Sequence, residues 1–263
     1  MSAQPTPLSP LPSLAPDTPL APAMLLAAGR GERMRPLTDV TPKPLLAARG
    51  RPLMAWCLQR MAEGGLQDVV INTAWLGEQI PAALGDRWQP DGSQRPLQLR
   101  YSHEGQDFGG ALETAGGIVR ALPWLDAVFW VAAGDVFAPG FRFDPGARAR
   151  LAASPCLAHL WLVPNPPHNP RGDFGLSDQG LALNLPADHP GPRYTFSTLA
   201  LYKQAFFASP WCDIPRGNPL GVKAALAPLL RRAMDDGRVS ASLYNGGWTD
   251  VGTPERLAEL NQT

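Results

Sequence analysis

Four cations trail an apolar run near the start of this chain, and their setting suits phosphate. Residues 24–44 read MLLAAGRGERMRPLTDVTPKP. Met24–Ala28 is strand-like, Gly29-Arg30-Gly31 interrupts it, and Arg33, Arg35 and Lys43 follow, the last between Pro42 and Pro44. A strand that runs into a glycine turn presents backbone N–H groups, and flanking cations add charge, so anionic oxygens are the expected ligand. Two common glycine loops are excluded. A Walker loop needs glycine followed by lysine, which occurs nowhere, and the third glycine of a dinucleotide fingerprint is Met34 here. What remains is G-x-G-x-R-x-x-P followed by P-K-P. An ordinary strand-to-helix turn with surface cations is the competing account.

Two carboxylates could face that turn across a ligand. Asp135 follows Val-Phe-Trp-Val-Ala-Ala-Gly, and a carboxylate cannot stay inside a sheet without a partner. At the strand tip it can hold Mg²⁺, which prefers one or two carboxylates plus substrate phosphates; capping the next turn is the alternative. Asp250 sits in Trp248-Thr249-Asp250-Val251-Gly252-Thr253-Pro254, just before a glycine turn and a capped helix. Between them, Leu112-Glu113-Thr114-Ala115-Gly116-Gly117 puts small residues at a helix start, where backbone edges can approach a flat base. Asn72, at the end of an apolar strand, can add a polar contact. The four histidines form no nucleophile–base pattern and no G-x-S-x-G is present, so no covalent intermediate is expected.

Positioning these residues requires strands that end together. Met24–Ala28, Val69–Ile71, Leu97–Tyr101 and Ala127–Ala133 read as strands. Leu53–Met61, Leu76–Leu84 and Thr114–Leu122 read as helices. Their alternation predicts an α/β, Rossmann-like fold, a mostly parallel mixed sheet flanked by helices. Ligands in such sheets bind beyond the carboxyl ends of strands, where Gly29, Asp135 and Asp250 fall. Later come strands at Leu157–Val163 and Tyr194–Tyr202, and helices at Val222–Met234, with Pro228 bending it or in its first turn, and from Pro254. Thr41 and Lys43 both precede proline, which predicts an extended backbone at each.

The 263 residues suffice for one large domain. Residues 1–22 carry seven prolines and are expected to form a disordered tail. Residues 23–263 then form a single unit, with a nucleotide-binding half near 23–140 and an acceptor half near 141–263. The tail lacks the marks of a signal peptide, and no stretch of about 18 apolar residues exists. A net charge of zero gives no global pull toward nucleic acid or membrane. Three dispersed cysteines fit reduced thiols of a cytoplasmic protein. Among 23 basic residues only Lys43, Lys203 and Lys223 are lysine, so a lysine locked between prolines hints that a compact charge is wanted there.

The full run from Leu26 to Lys43 resembles the N-terminal signature of the sugar-1-phosphate nucleotidylyltransferases. The resemblance extends over nearly everything after residue 22, through GRGERMRPLT, NTAWLG, LETAGGI, RGDF, YTFS, LAPLLRRAM and WTDVGTPERL. It implies an enzyme joining a nucleoside triphosphate to a sugar 1-phosphate with release of pyrophosphate. It also implies nucleotide contacts at Leu26, Ala27, Ala28, Gly29, Gly31, Asn72, Glu113 and Gly116, catalytic roles for Lys43 and Arg33, and Mg²⁺ on Asp135 and Asp250. Acceptor contacts would fall on Gly172, Asp173, Ser197 and Thr198. Glu32 and the quoted fragments are similar to the uridylyl-transferring subgroup that uses N-acetylmuramic acid 1-phosphate in cell-wall recycling. Mannose or glucose 1-phosphate acceptors with GTP, dTTP or UTP, and a non-catalytic nucleotide-sugar-binding subunit, are the alternatives. An E-K-P segment common in the family, whose lysine meets the sugar phosphate, is missing; Arg193 or Lys223 are the candidates to replace it. Thr198 stands where the family usually has glycine.

Overall fold

In the computed structural model, which describes residues 19–92 and 95–262, strand and helix alternate through the first half. The elements are β1 (Ala21–Leu26), the short strands β2 (Ala47–Ala48) and β3 (Arg51–Pro52), α1 (Leu53–Glu63), β4 (Asp68–Thr73), α2 (Gln79–Leu84), β5 (Arg87–Trp88), β6 (Leu97–His103), α3 (Glu104–Phe108), α4 (Glu113–Ala121) and β7 (Leu125–Ala133). The second half adds β8 (Val136–Phe137), α5 (Pro145–Ala153), β9 (Ala158–Val163), β10 (Phe174–Leu176), β11 (Ala182–Leu183), β12 (Arg193–Lys203), α6 (Leu226–Asp235), β13 (Val239–Leu243), β14 (Thr249–Asp250) and α7 (Pro254–Gln262).

The main sheet runs β11-β10-β12-β7-β1-β4-β6-β5, with β9 on β12 and β13 on β9. Its centre, β7-β1-β4-β6, is parallel. β12 then joins β7 antiparallel. The chain steps outward from β1 to β4 to β6 and returns to β7 on the other side of β1. A reversal of this kind opens a crevice at the carboxyl ends of the strands, and β1 ends there at Leu26.

Strand alternation builds a core on each face. Met24, Val70 and Val131 pack toward α4 and α6, with Ile118, Val119, Leu226 and Leu230. Ala23, Leu25, Val69, Ile71, Trp130 and Ala132 pack toward α1, with Met54, Leu58 and Met61. A third cluster binds the cation-bearing loop to the C-terminal helix, through Met34, Phe137, Val251, Leu257 and Leu260.

The expected elements are present, with shifted edges. β1 begins at Ala21, inside the stretch assigned to the tail, and Ala21 is fully buried; Pro22 falls at a register shift in the pairing with β7 and before the pairing with β4 begins at Ala23, a position that tolerates proline. Residues 1–18 of the proposed tail lie outside the described residues. α6 starts only at Leu226, which puts Pro228 in its first turn. The segment before it is held by α4 instead: the Ala115 and Gly116 N–H groups donate to Ala224 O at 2.9 and 3.1 Å. Lys43 is not extended. It opens a single 3₁₀ turn, Lys43–Leu45, in which the Leu45 and Leu46 N–H groups donate to Pro42 and Lys43 carbonyls. Those two bonds override the pre-proline preference.

Candidate active site

A cleft of about 700 Å³ opens at the reversal point. Its donor end is the glycine turn. Leu26, Ala27, Ala28 and Gly29 line it, with Lys43 and Asp135 beside them. Gly31 lies behind the lining. Its φ of +65° and its closeness to Thr38 and Lys43, 3.0 and 3.2 Å from where a Cβ would stand, require glycine. Gly134 donates its N–H to Leu26 O at 2.8 Å, bringing the next residue against the end of β1. The Lys43 ammonium and the Asp135 carboxylate form an ion pair there. Arg30 stacks on Trp75 at 3.6 Å and shares Asp39 with Arg35. Arg33 is exposed and outside the cleft lining.

A buried network fixes the neighbouring wall. The Ala27 N–H donates to Asn72 Oδ1 at 2.9 Å, Asn72 Nδ2 donates to Glu104 Oε1 at 2.8 Å, and the Leu112 N–H donates to Glu104 Oε2 at 2.8 Å. Glu104 is fully buried. Burial pushes its carboxyl above the ordinary range, against the pull of the Leu112 N–H, the Asn72 amide and the nearby Arg120 guanidinium. One carboxylate thus ties the ends of β1 and β4 to the start of α4. Glu113 and Thr114 line the cleft from that start, Glu113 at a φ of +59°. Gly116 is placed behind them, where a Cβ would meet Val222 O at 2.5 Å. Sequence reasoning missed Glu104. It follows Arg100-Tyr101-Ser102-His103, the polar end of an alternating strand, so it lacks the apolar run that marks Asp135.

The acceptor end is lined by Asp173, Phe174, Phe196, Thr198, Leu230 and Arg231, among others. Asp173 accepts from Asn169 Nδ2 at 3.1 Å and from the Phe196 N–H at 2.8 Å. Thr198 has a φ of +62° at an irregularity in the β9–β12 pairing, strained for a β-branched residue. Gly172 and Ser197 shape the walls without lining them. A Cβ on Gly172 would meet Asn165 and Tyr194 under 3 Å, and the Ser197 hydroxyl donates to Trp161 O at 2.6 Å. Neither proposed replacement for the family lysine lines the cleft: Arg193 donates to the Gly172 and Asp173 carbonyls at 3.0 Å, and Lys223 is exposed. Arg231 was not singled out in the sequence, because LAPLLRRAM reads as an amphipathic helix with solvated arginines.

Asp250 lies next to Asp135 by backbone pairing. β14 pairs with β8 so that Asp250 faces Val136, and the Val251 N–H donates to Asp135 O at 2.9 Å. The Asp250 carboxylate lies 2.5 Å from Arg256 Nη1 and 2.7 Å from His168 Nε2, outside the cleft lining. Asp135, in the turn just before β8, and Asp250, on β14, are hard oxygen donors of the kind Mg²⁺ takes. Among the described residues no three His, Cys, Asp or Glu side chains gather as a ready cage. An ion here would draw its remaining ligands from phosphate and water, as Mg²⁺ does in phosphoryl-transfer sites.

A glycine turn at the reversal of an α/β sheet, with a lysine–aspartate pair beside it, is suited to phosphate. The family described as "Nucleotidyl transferase" matches residues 22–144. N-acetylmuramate alpha-1-phosphate uridylyltransferase of Neisseria meningitidis serogroup B is 46% identical over 241 residues, 90% of this chain and 95% of that one. The enzyme of the same name from Caulobacter vibrioides is 30% identical over 90% of this chain and 97% of its own. Among solved structures, HddC from Yersinia pseudotuberculosis complexed with GMP-PN superposes with a TM-score of 0.65 at 15% identity, over 92% and 99% of the two chains, a likeness of fold. The chain belongs to the sugar-1-phosphate nucleotidyltransferase family and is a transferase. Among its described residues no helix is long and apolar enough to cross a membrane.

Proposed function

We propose that the protein transfers the uridylyl group of UTP to N-acetylmuramic acid 1-phosphate, releasing pyrophosphate, in the cytoplasmic recycling of cell-wall sugars. The juxtaposition of Lys43 and Asp135 under the glycine turn carries the chemistry, and the 46% identity along nearly the whole of the Neisseria enzyme supports the substrates. An acceptor phosphate oxygen, already anionic, attacks the α-phosphorus, and the bond from that phosphorus to the bridging oxygen of the β-phosphate breaks. No general base is needed.

The difficulty is electrostatic. At ~4 Å and an effective dielectric of ~20, each like-charge pair costs about 4 kcal/mol. Lys43 supplies a compact positive charge for the α-phosphate, and the N–H groups of Ala28 and Gly29, which line the cleft, take oxygens of the departing pyrophosphate. Arg33 adds charge from the loop. Asp135 and Asp250 would hold Mg²⁺, which supplies further neutralisation when bound. Asn72, Glu113 and Thr114 face the base and ribose. The test is pyrophosphate release with UTP, GTP or dTTP against N-acetylmuramic acid, N-acetylglucosamine, glucose and mannose 1-phosphates, with and without Mg²⁺. The highest kcat/KM is expected for UTP with N-acetylmuramic acid 1-phosphate. No turnover with any pair rejects the enzymatic assignment, and preference for a neutral sugar rejects the acceptor.

A further inference from the structure

We propose that Arg231 selects the acceptor by pairing with a carboxylate carried on the sugar ring, so that the far end of the cleft is built for an acidic sugar 1-phosphate. The proposal rests on the acceptor assignment above and names the residue that would enforce it.

Two cations line the cleft, Lys43 and Arg231. Lys43 is paired with Asp135. Arg231 has no carboxylate partner among the described residues. Its Nη1 donates to the neutral Asn184 Oδ1 at 2.6 Å, and its guanidinium lies over the Phe174 ring at 5.2 Å. Asn184 is itself pinned, since its Nδ2 lies 3.1 and 3.2 Å from the two oxygens of Asp235, one turn beyond Arg231 on α6. The amide carbonyl is thereby turned to the arginine. A ring beneath and one amide at the side hold the guanidinium in place and leave further N–H donors for a planar, bidentate anion. Asp173, the carboxylate at this end, already accepts from Asn169 and the Phe196 N–H.

Sheet order separates this arginine from the reacting phosphates. Phe174 is in β10, two places from β7 in the order β10-β12-β7, or roughly 10 Å at about 4.8 Å per strand. The acceptor phosphate must lie at the other end, beside Lys43 and Asp135, for its oxygen to reach the α-phosphorus. What falls beneath Arg231 is therefore a substituent of the ring. N-acetylmuramic acid carries a lactyl ether carboxylate there to meet it; N-acetylglucosamine, glucose and mannose have only neutral groups.

The experiment compares kcat/KM for N-acetylmuramic acid 1-phosphate and N-acetylglucosamine 1-phosphate, with saturating UTP and Mg²⁺, in wild type, Arg231→Met, Arg231→Lys and Asn184→Ala. Arg231→Met should shift the ratio of the two values toward the neutral acceptor by about 10- to 100-fold, the worth of one charge-assisted pair, mainly through KM. Arg231→Lys should recover part of the shift, and Asn184→Ala, which keeps the charge but frees it, should give a smaller shift of the same sign. An unchanged ratio in Arg231→Met, whether both acceptors lose equally or neither loses, overturns the role of Arg231 and leaves the acceptor assignment standing. Wild-type preference for the neutral acceptor overturns the assignment itself. If Arg231→Met does not fold, as judged by melting, the Lys and Asn184 variants decide: no shift in either rejects the proposal.

Discussion

Asn72 and Glu104 meet through a single 2.8 Å hydrogen bond, and that contact decides which way the Asn72 amide faces. With Nδ2 committed to Glu104, Oδ1 is left for the Ala27 N–H. Replacing Glu104 by Gln leaves one of its two donors, the Asn72 amide or the Leu112 N–H, facing another N–H group. The expected loss is about 1–3 kcal/mol, on the order of 5 °C in a chain of this size, with a raised KM for the nucleotide. Thermal melting and nucleotide titration check it, and unchanged values of both remove Glu104 from this role.

Lys43 and Asp135 should separate stability from catalysis. Their pair is partly open to solvent, with Asp135 33% exposed, so breaking it is expected to cost under about 1 kcal/mol. Under the proposed function Lys43→Ala should nonetheless lower kcat more than tenfold, as removal of a charge that acts in the transition state does. Asp135→Asn should abolish Mg²⁺-dependent turnover with little change in melting. Wild-type turnover in the Asn variant would take Asp135 out of the site.

Thr198 offers a test of strain. A β-branched residue in the left-handed region costs of order 1–3 kcal/mol, while glycine adds about 0.5–1 kcal/mol of chain entropy. Both Gly and Ala remove the hydroxyl bond to Ser197 O, but only Gly also relieves the backbone. Thr198→Gly should therefore melt above Thr198→Ala and discriminate less among acceptors. Ala melting at or above Gly contradicts the strain account.

His159 predicts a pH dependence with a definite sign. Burial, with a smaller contribution from Arg150, lowers its pKa from 6.5 to about 4. The unfolded chain takes up a proton first as pH falls, so this contribution is present above 6.5 and is lost between 6.5 and about 4. Its size is at most about 3 kcal/mol. His159→Gln should show a flatter melting temperature across that interval. An equal slope in both proteins assigns the pH effect elsewhere.

The parts of the site visible in the sequence were those whose chemistry is local. Leu26–Gly29 and Ala133–Asp135 announce themselves as apolar runs ending in glycine, and the buried strands follow from the same runs. α5 escaped because only Ala147 and Leu151 of its nine residues are buried, too few to set a helical period. β8 and β14 are two residues each, and their pairing is a tertiary event. Arg231 and Glu104 were hidden for a related reason. Each looks like a surface charge until the sheet order brings β10, β6 and the helices around the cleft.

The β8–β14 ladder also sets a schedule. Val136 and Asp250 are 114 residues apart in sequence, and a two-residue strand does not persist without its neighbours. During synthesis the glycine turn, Lys43 and Asp135 leave the ribosome long before Asp250 does. A nascent chain or a fragment ending before residue 249 has the glycine turn and Asp135 but lacks the β14 strand and its carboxylate. Under the proposed function, placing that carboxylate on a late, non-local ladder ties the second metal ligand to one of the last contacts the chain can form.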